Sequence, residues 1–186
     1  MEENFKVMLD NVEIECLIGD ITSQPDIDVV VNAANKYLAP GGGVAGAIHK
    51  KAGSLLYEEC KKYAPINTGE SVITAGYNLP NPYVIHTVGP VYSKENNPAE
   101  KLSSCFINSL KLADNKGLCS IAFPAISTGI FGYPIEEAAE VSLKAVIGFV
   151  PELKTIKKIR FVLFDEHSFV VFSRKLKELY ERKGYT

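Results

Sequence analysis

Short apolar runs alternate with longer segments of helical periodicity along this chain, and few folds accommodate that order. Residues 28–32 (DVVVN) form a run of the kind found in strands that are buried on both faces of a sheet. Similar runs rich in β-branched or aromatic residues occur at 72–75, 83–88, 119–123 and 159–164. Strands separated by helices predict an α/β protein with a mixed, mostly parallel central sheet that carries helices on both faces.

A hairpin at the start of the chain and three helices in its second half complete this pattern. Residues 5–9 and 12–18 alternate around Asp10 and Asn11, which predicts an antiparallel hairpin. One central helix is predicted to begin at Asn97 and Pro98 and to stop at Gly117. Another runs from about 134 to 148. The last helix has an apolar stripe made of Phe169, Phe172, Leu176 and Leu179.

Composition limits the classes of function. The 186 residues fit one domain spanning 1–186, with 46% hydrophobic and 23% charged residues. A net charge of −2 argues against a nucleic-acid partner, because proteins that bind the phosphate backbone are usually basic. No apolar run is long enough to cross a bilayer, and the acidic start is unlike a signal peptide. We therefore expect a cytoplasmic protein that acts as a monomer.

The cysteines give no sign of a metal centre. Cys16, Cys60, Cys105 and Cys119 are scattered, without a CxxC pair or a histidine at ligand spacing. Buried free thiols are the simpler interpretation. We expect neither a metal nor a cofactor.

Two glycine-rich stretches follow predicted strands and are the main functional signal. Residues 41–46 (GGGVAG) come after the strand at 28–32, and residues 127–132 (STGIFG) come after the strand that ends at Phe123. Ligands of open α/β sheets lie at the carboxyl ends of strands, where glycine lets backbone amides approach an anion. A helix that starts beyond each loop adds positive partial charge. Neither loop contains Lys or Arg, so amides alone would have to hold a diphosphate. Ordinary tight turns remain the alternative.

The first loop also spells G-x-G-x-x-G, but its context argues against a dinucleotide-binding fold. Eight residues separate the predicted strand end from Gly41, whereas that fingerprint needs an immediate turn. No acidic residue ends a second strand about 20 residues later, since Glu58 and Glu59 fall in a helix-like segment. There is no P-loop motif either.

Five sequence blocks occur in a recognisable order from the first third of the chain to residue 132. They are GDIT at 19–22, VNAAN at 31–35, GGGVAGAI at 41–48, HTVGP at 86–90 and PAISTGIFG at 124–132. In this order the chain resembles the macrodomains, over nearly its whole length from about Val12 to about Leu179. The resemblance implies a three-layer α/β/α sandwich with an ADP-ribose cleft along the carboxyl edge of its sheet.

The resemblance also implies roles for individual residues. Asp20 would accept a hydrogen bond from the adenine amino group, with Ile21 beside it. Phe164 would pack on the adenine ring and Asp165 would face the adenosine ribose. Asn35 would hold the hydroxyls of the distal ribose. The residues implied for the diphosphate loops are Gly42, Gly43, Val44, Ser127, Thr128, Gly129, Ile130 and Phe131, with Phe131 also near the distal ribose.

Several of these residues have a plain structural alternative. Asp20 could only cap the turn at Gly19, and Phe164 could belong to the core. Asn32 is expected to bond neighbouring backbone and His86 to be a core histidine. His49, on a predicted helix, is expected to support the site rather than to catalyse.

The resemblance leaves two functions open. One active macrodomain subgroup carries an aspartate after Gly-Gly-Val, where this chain has Ala45. Acidic residues are absent between Asp28 and Glu58, so the first loop supplies no general base. The first hypothesis is hydrolysis of ADP-ribose esters on acidic side chains or of O-acetyl-ADP-ribose, in which Asn35 and Phe131 act by positioning. The second is a non-catalytic module that binds ADP-ribosylated proteins.

Overall fold

A computed structural model describes residues 4–184, so residues 1–3 and 185–186 of the expected domain lie outside the described residues. Within the described part, seven strands form one sheet in the order β1-β2-β7-β6-β3-β5-β4. The strands are β1 (Asn4–Leu9), β2 (Val12–Ile18), β3 (Val29–Ala34), β4 (Ser71–Ala75), β5 (Tyr83–Val88), β6 (Ser120–Phe123) and β7 (Lys158–Leu163). The five inner strands are parallel and the edge strands β1 and β4 are antiparallel, which confirms a mixed, mostly parallel sheet.

Helices cover both faces of this sheet. They are α1 (Gly43–Ala52), α2 (Ser54–Cys60), α3 (Pro98–Asn115), α4 (Ile135–Phe149) and α5 (Glu166–Arg182), with a 3-10 turn at Val150–Glu152. Successive residues of β3 face opposite sides, so Val29 and Val31 pack in the core under α3, α4 and α5, while Val30 packs in the core under α1 and α2. The molecule is therefore the three-layer α/β/α sandwich that the resemblance implied.

The larger of the two cores is built around aromatic rings. Phe106 of α3, Phe123 of β6, Phe161 of β7 and Phe172 of α5 are fully buried, with neighbouring ring centroids 4.8–5.8 Å apart. This packing, together with the buried stripe on α5, holds α3 and α5 against the sheet. The loops at the strand ends thus have a firm base.

The boundaries of the strands, α3 and α4 agree with the predicted ones to within about two residues. The prediction of a helix that starts beyond the first glycine loop is wrong, because α1 begins at Gly43, inside residues 41–46. Among the strands the largest shift is at β3, which continues to Ala34 because Ala34 pairs with Val88 of β5. β7 stops at Leu163, so Phe164 lies beyond the strand. The expectation of four buried thiols is wrong for Cys119, which is exposed, whereas Cys16, Cys60 and Cys105 are buried.

The topology sends five strand ends to one edge of the sheet. Since β2, β7, β6, β3 and β5 run parallel, the segments that follow them all begin on the same side. Both glycine loops and the segments that hold Asp20 and Phe164 are therefore neighbours at this edge. No helix within residues 4–184 is long and apolar enough to span a membrane.

Candidate ligand-binding cleft

The segment after β3 is shaped by the side chain of Asn35. Its Oδ1 accepts hydrogen bonds from the amides of Tyr37 (3.1 Å) and Ala39 (3.0 Å), and its Nδ2 donates to the Ala39 carbonyl (2.8 Å). A Cβ on Gly41 would lie 3.5 Å from Nδ2, so the amide rests against the first glycine loop. Asn35 therefore keeps one N–H to offer to a ligand, while its oxygen is already used.

Helix α1 starts inside the first glycine loop. Gly42 is its N-cap and makes no side-chain capping bond, so the first amides of the helix, at Gly43, Val44 and Ala45, have no intrahelical partner. A Cβ on Gly46 would lie only 2.3 Å from the Gly41 carbonyl oxygen, which shows how closely the loop folds over the helix. The result is a cluster of free amides at the positive end of a helix dipole.

The second glycine loop presents amides in the same way. Ser127 has a left-handed backbone (φ 68°) and its carbonyl accepts from the Tyr133 amide at 2.9 Å, while the Gly132 amide closes on the Gly129 carbonyl at 3.0 Å. Within the described residues, the amides of Ser127, Gly129, Ile130 and Phe131 have no protein acceptor. Such a curved run of N–H groups forms an anion-binding concavity.

Gly89, at the end of β5, is a cleft residue that the sequence analysis did not identify. A Cβ at this position would lie 2.2 Å from Ser127 Oγ and 2.6 Å from a methyl carbon of Ile126. Only glycine lets the second loop approach β5 so closely. The HTVGP block contained this signal, since it places a glycine directly after a buried strand.

Together the two loops and the ends of β3 and β5 line a cavity of about 360 Å³. None of its lining residues carries a charge or titrates near neutral pH. The predicted site residues that it brings together are Asn35, Gly42, Gly43, Val44, Ser127, Gly129, Ile130 and Phe131. Its other lining residues are Ala33, Ala34, Gly41, Ala45, Gly89, Ala125 and Ile126. The site can therefore hold an anion through amides alone.

Five predicted residues lie outside this cavity. Thr128 turns its hydroxyl to the Ala125 carbonyl at 2.7 Å and shapes the second loop. Asp20 and Ile21 follow β2, and Phe164 and Asp165 follow β7, so these two pairs are adjacent along the sheet edge. The Gly19 amide ties the two strand ends together by donating to the Leu163 carbonyl at 2.9 Å.

Asp20 is both a turn cap and an available acceptor. Its Oδ1 receives the amide (2.8 Å) and hydroxyl (2.7 Å) of Thr22, and these bonds hold the pKa of the carboxyl below its usual value. Its Oδ2 has no partner within residues 4–184 and is free to accept. Ile21 is buried beneath the turn. The exposed Asp20 carboxylate can thus keep its turn and bind a ligand at the same time.

Phe164 leaves nearly its whole ring accessible, whereas Asp165 uses one carboxylate oxygen within the protein. The Phe164 side chain is 91% exposed, so the alternative that it belongs to the core is wrong. Asp165 is the N-cap of α5 and accepts from the Ser168 amide at 2.7 Å. An exposed ring of this size at the sheet edge is suited to stacking on a planar ligand.

Behind the first loop the fold assembles a cluster that the sequence spacing did not reveal. The side-chain ligand atoms of His49, Cys60 and His86 lie within 4.8 Å of one another, and all three residues are buried. Asn32 Nδ2 donates to His86 Nδ1 at 3.1 Å, so the expectation that Asn32 bonds backbone is wrong. The other ring nitrogen, Nε2, then carries the proton and donates to Thr74 Oγ1 at 3.0 Å.

This arrangement uses both nitrogens of His86. The Thr74 hydroxyl in turn donates a hydrogen bond to the Ala75 carbonyl at 3.0 Å, so the His86 N–H and the Thr74 O–H both have an acceptor. His86 keeps no lone pair for a metal ion in this state. Burial lowers the pKa of His86 to about 3 and also lowers the pKa of His49. The cluster is an uncharged packing contact between α1, α2 and the sheet in which His86 is the hydrogen-bonded member, and the absence of a metal stays a prediction.

Comparisons with known proteins agree with this geometry. A family model described as the Macro domain matches residues 31–142. An O-acetyl-ADP-ribose deacetylase from Escherichia fergusonii is 48% identical over 88% of this chain and 94% of its own. The Oceanobacillus iheyensis macrodomain with ADP superposes with a TM-score of 0.92 at 40% identity, covering 96% of this chain and 97% of that one. The Trypanosoma brucei macrodomain in complex with ADP-ribose has a TM-score of 0.81 at 39% identity, over 87% and 68% of the two chains.

Proposed function

This chain belongs to the macro domain family, and from that premise we propose that it binds ADP-ribose and hydrolyses ADP-ribosyl esters on proteins or O-acetyl-ADP-ribose. The similar proteins that carry names include an O-acetyl-ADP-ribose deacetylase at 48% identity. Another is the ADP-ribose glycohydrolase MACROD2 of Xenopus laevis, which is 46% identical over 89% of this chain and 40% of its own length. Both names describe removal of a group from ADP-ribose or of ADP-ribose itself.

The observation that carries the proposal is the uncharged cavity between two amide-rich loops. A diphosphate brings two negative charges, and the free amides at the start of α1 and in the second loop can stabilise both without a lysine or arginine. A Cβ added at Gly129 would have no atom within 4 Å, so a phosphate has room directly beside the backbone.

The adenosine half of the ligand would lie at the ends of β2 and β7. Adenine presents an amino group, which is a donor, and Asp20 Oδ2 is a free acceptor. The exposed ring of Phe164 supplies a stacking surface next to it. Asp165, whose Oδ1 already caps α5, would face the ribose hydroxyls with its second oxygen.

The distal ribose would lie between Asn35 and Phe131. Asn35 has one N–H left to hold a ribose hydroxyl or a water, and Phe131 lines the same cavity. No lining side chain can take a proton, and Ala45 stands where one active macrodomain subgroup carries an aspartate. Catalysis would therefore depend on positioning, with a substrate phosphate helping to activate water. We expect turnover slower than that of a site with a dedicated base.

The alternative is a module that only binds ADP-ribosylated proteins. The specific observation in its favour is the same lack of a titratable group around the cavity. Both functions need the same ligand cleft, so binding alone does not separate them. Release of product does.

The deciding experiment is a time course with a protein that carries mono-ADP-ribose on glutamate, together with O-acetyl-ADP-ribose as a second substrate. We expect the wild type to release ADP-ribose or acetate and Asn35→Ala to lose most of this activity. Asn115→Ala, an exposed asparagine at the end of α3, is the matched control. Because Asn35 also holds the turn at Ala39, the affinity of each variant for ADP-ribose is measured alongside. Binding of ADP-ribose without release of product from either substrate would favour the module that only binds ADP-ribosylated proteins.

A further inference from the structure

We propose that Gln24 is a positioning residue that makes the cleft prefer adenine over other purines, because it holds Asp20 in place. The inference rests on the proposed binding of ADP-ribose and extends it to how the base is selected. Gln24 lies four residues after Asp20 and is buried, with 6% of its surface exposed. A buried glutamine needs hydrogen-bond partners for both ends of its amide. Here the donor end bonds Asp20 and the acceptor end bonds Arg160.

The donor end of Gln24 holds the backbone of Asp20. Nε2 donates to the Asp20 carbonyl oxygen at 2.8 Å, and the same oxygen accepts from the Ser23 amide at 3.0 Å. The Asp20 side chain is fixed separately by Thr22. The direction of the free Oδ2 atom thus depends on the amide of Gln24 as well as on the local turn.

The acceptor end of Gln24 is held by a buried arginine. Arg160 of β7 is 6% exposed and its Nη1 donates to Gln24 Oε1 at 2.9 Å. The guanidinium also donates to Glu15 Oε2 through Nε (2.9 Å) and to the two oxygens of Asp26 through Nη1 (2.9 Å) and Nη2 (2.8 Å). With acceptors from three residues around a rigid planar group, Arg160 is held in its orientation toward Gln24.

The backbone of Gln24 is also anchored. The buried side chain of Asn81 donates to the Gln24 carbonyl and to the Ile27 carbonyl, both at 2.7 Å. A continuous path of hydrogen bonds therefore runs from Arg160 in the sheet, through the side chain of Gln24, to the backbone carbonyl of Asp20 at the rim of the cleft. This path limits the movement of the backbone that carries the exposed Asp20 carboxylate.

A fixed acceptor discriminates between purines. Adenine places a donor amino group at the position where hypoxanthine places a carbonyl oxygen, which a carboxylate repels. The discrimination is largest when the carboxylate cannot swing aside, and Gln24 contributes to this by holding the Asp20 backbone while Thr22 holds the side chain. Loss of the Gln24 donor should reduce the preference for adenine rather than abolish the cleft.

The test is calorimetric titration of the folded protein with ADP-ribose and with inosine diphosphate ribose. Gln24→Met keeps the length of the side chain and removes both hydrogen bonds. Gln24→Glu keeps an acceptor for Arg160 but replaces the donor to the Asp20 carbonyl with an oxygen. We expect both variants to bind ADP-ribose about three- to tenfold more weakly, with unchanged affinity for the inosine compound. Ser23→Ala, at an exposed neighbouring position, should behave as the wild type.

Two outcomes would overturn the proposal. One is wild-type preference for adenine in Gln24→Met and Gln24→Glu, with thermal unfolding showing that both are folded. The other is an equal loss of affinity for both ligands, which would mean that Gln24 supports the fold of the cleft in general. Failure of the wild type to bind either ligand is a different result, because it would contradict the proposed function itself.

Discussion

Asp20 divides its two carboxylate oxygens between two tasks, and this division is typical of how single residues serve the cleft. One oxygen closes a turn on Thr22 and the other faces solvent as an acceptor. Asn35 is used in the same way, with three hydrogen bonds inside its own turn and one N–H left over. A short polar side chain beside a strand end bonds backbone groups only two to four residues away. It can therefore hold its own turn with some of its polar atoms and leave another for a ligand.

Removing the Asp20 carboxylate should weaken binding of the base. We expect Asp20→Ala to lower the affinity for ADP-ribose by about 1–3 kcal/mol, the usual cost of a lost charge-assisted hydrogen bond. Calorimetric titration measures the change, with the exposed Glu152→Ala as a control far from the sheet edge. Equal affinities in the two variants would remove Asp20 from the binding site.

A side chain on the second glycine loop should block the diphosphate. A Cβ added at Gly129 would have no atom within 4 Å, so the fold can accommodate the glutamate of Gly129→Glu. The added carboxylate would occupy the proposed diphosphate position and repel the ligand. Gly148→Glu is a matched control, since Gly148 on α4 has equally open surroundings. We expect loss of ADP-ribose binding only in Gly129→Glu. Normal binding by that variant, once shown to be folded, would mean that the diphosphate lies elsewhere.

At the scale of elements, α1 joins the ligand loop to the buried histidine cluster. Its first turn offers free amides to the cavity, and its last turn carries His49 against Tyr57 of α2, with ring centroids 6.1 Å apart. His86 of β5 then links the same region to β3 and β4 through Asn32 and Thr74. A glycine-rich helix start is thereby supported by a buried, uncharged region in which His86 is hydrogen-bonded on both ring nitrogens.

The neutrality of His86 predicts a pH dependence of stability. Its folded pKa is lowered to about 3, whereas an unfolded histidine titrates near 6.5, so below about pH 6.5 the unfolded chain binds a proton that the folded chain does not. The free energy of unfolding should therefore decrease as the pH falls from about 6.5 to about 4.5. His49, whose pKa is also lowered by burial, adds a contribution of the same sign.

Denaturant unfolding at several pH values checks this prediction. We expect His86→Gln to show a shallower decrease over that interval than the wild type, by up to about 1.4 kcal/mol per pH unit. His167→Gln, at an exposed position before α5's buried stripe, should keep the wild-type slope. The interval ends above the titration of carboxyls whose pKa is lowered, such as Asp114. Identical slopes in all three proteins would show that His86 does not titrate on unfolding.

At the scale of the whole molecule, the parallel sheet is what makes one cleft from four separate segments. The ends of β2 and β7 carry the residues proposed for adenosine, and the ends of β3 and β6 carry the loops proposed for the diphosphate. These strands are consecutive in the sheet order β2-β7-β6-β3, although β2 and β7 are far apart in sequence. A ligand that spans the cleft therefore cross-links both halves of the sheet.

Such a ligand should stabilise the whole chain. At about a hundred times its dissociation constant, ADP-ribose should add about 2.7 kcal/mol to the free energy of unfolding, which raises Tm by about 5–10 °C for a protein of this size. Thermal unfolding with and without ligand measures the shift, and ADP-ribose should not move the Tm of Gly129→Glu. An absent shift in the wild type, with binding confirmed by calorimetry, would mean that the unfolded chain also binds.

Much of this protein followed from local sequence. The hairpin at Asp10 and Asn11, both with positive φ, the limits of α3 and the buried stripe on α5 depend on residues a few positions apart, which interact whatever the rest of the chain does. The glycine loops could be recognised because they directly follow buried strands. The same local signals, with the family blocks, predicted the α/β/α sandwich and most of the cavity lining.

Other features were decided only when distant segments met. Phe164 is exposed because it lies one residue beyond the last pair of β7 with β2, which joins Leu163 and Ile18. Gly89 is required because a Cβ at this position would lie only 2.2 Å from Ser127 Oγ. The path from Arg160 to Asp20 joins residues more than a hundred positions apart. Sequence periodicity indicates which face of a strand or helix a side chain occupies. The residue that it contacts on that face depends on strand order and close packing, which exist only in the folded molecule.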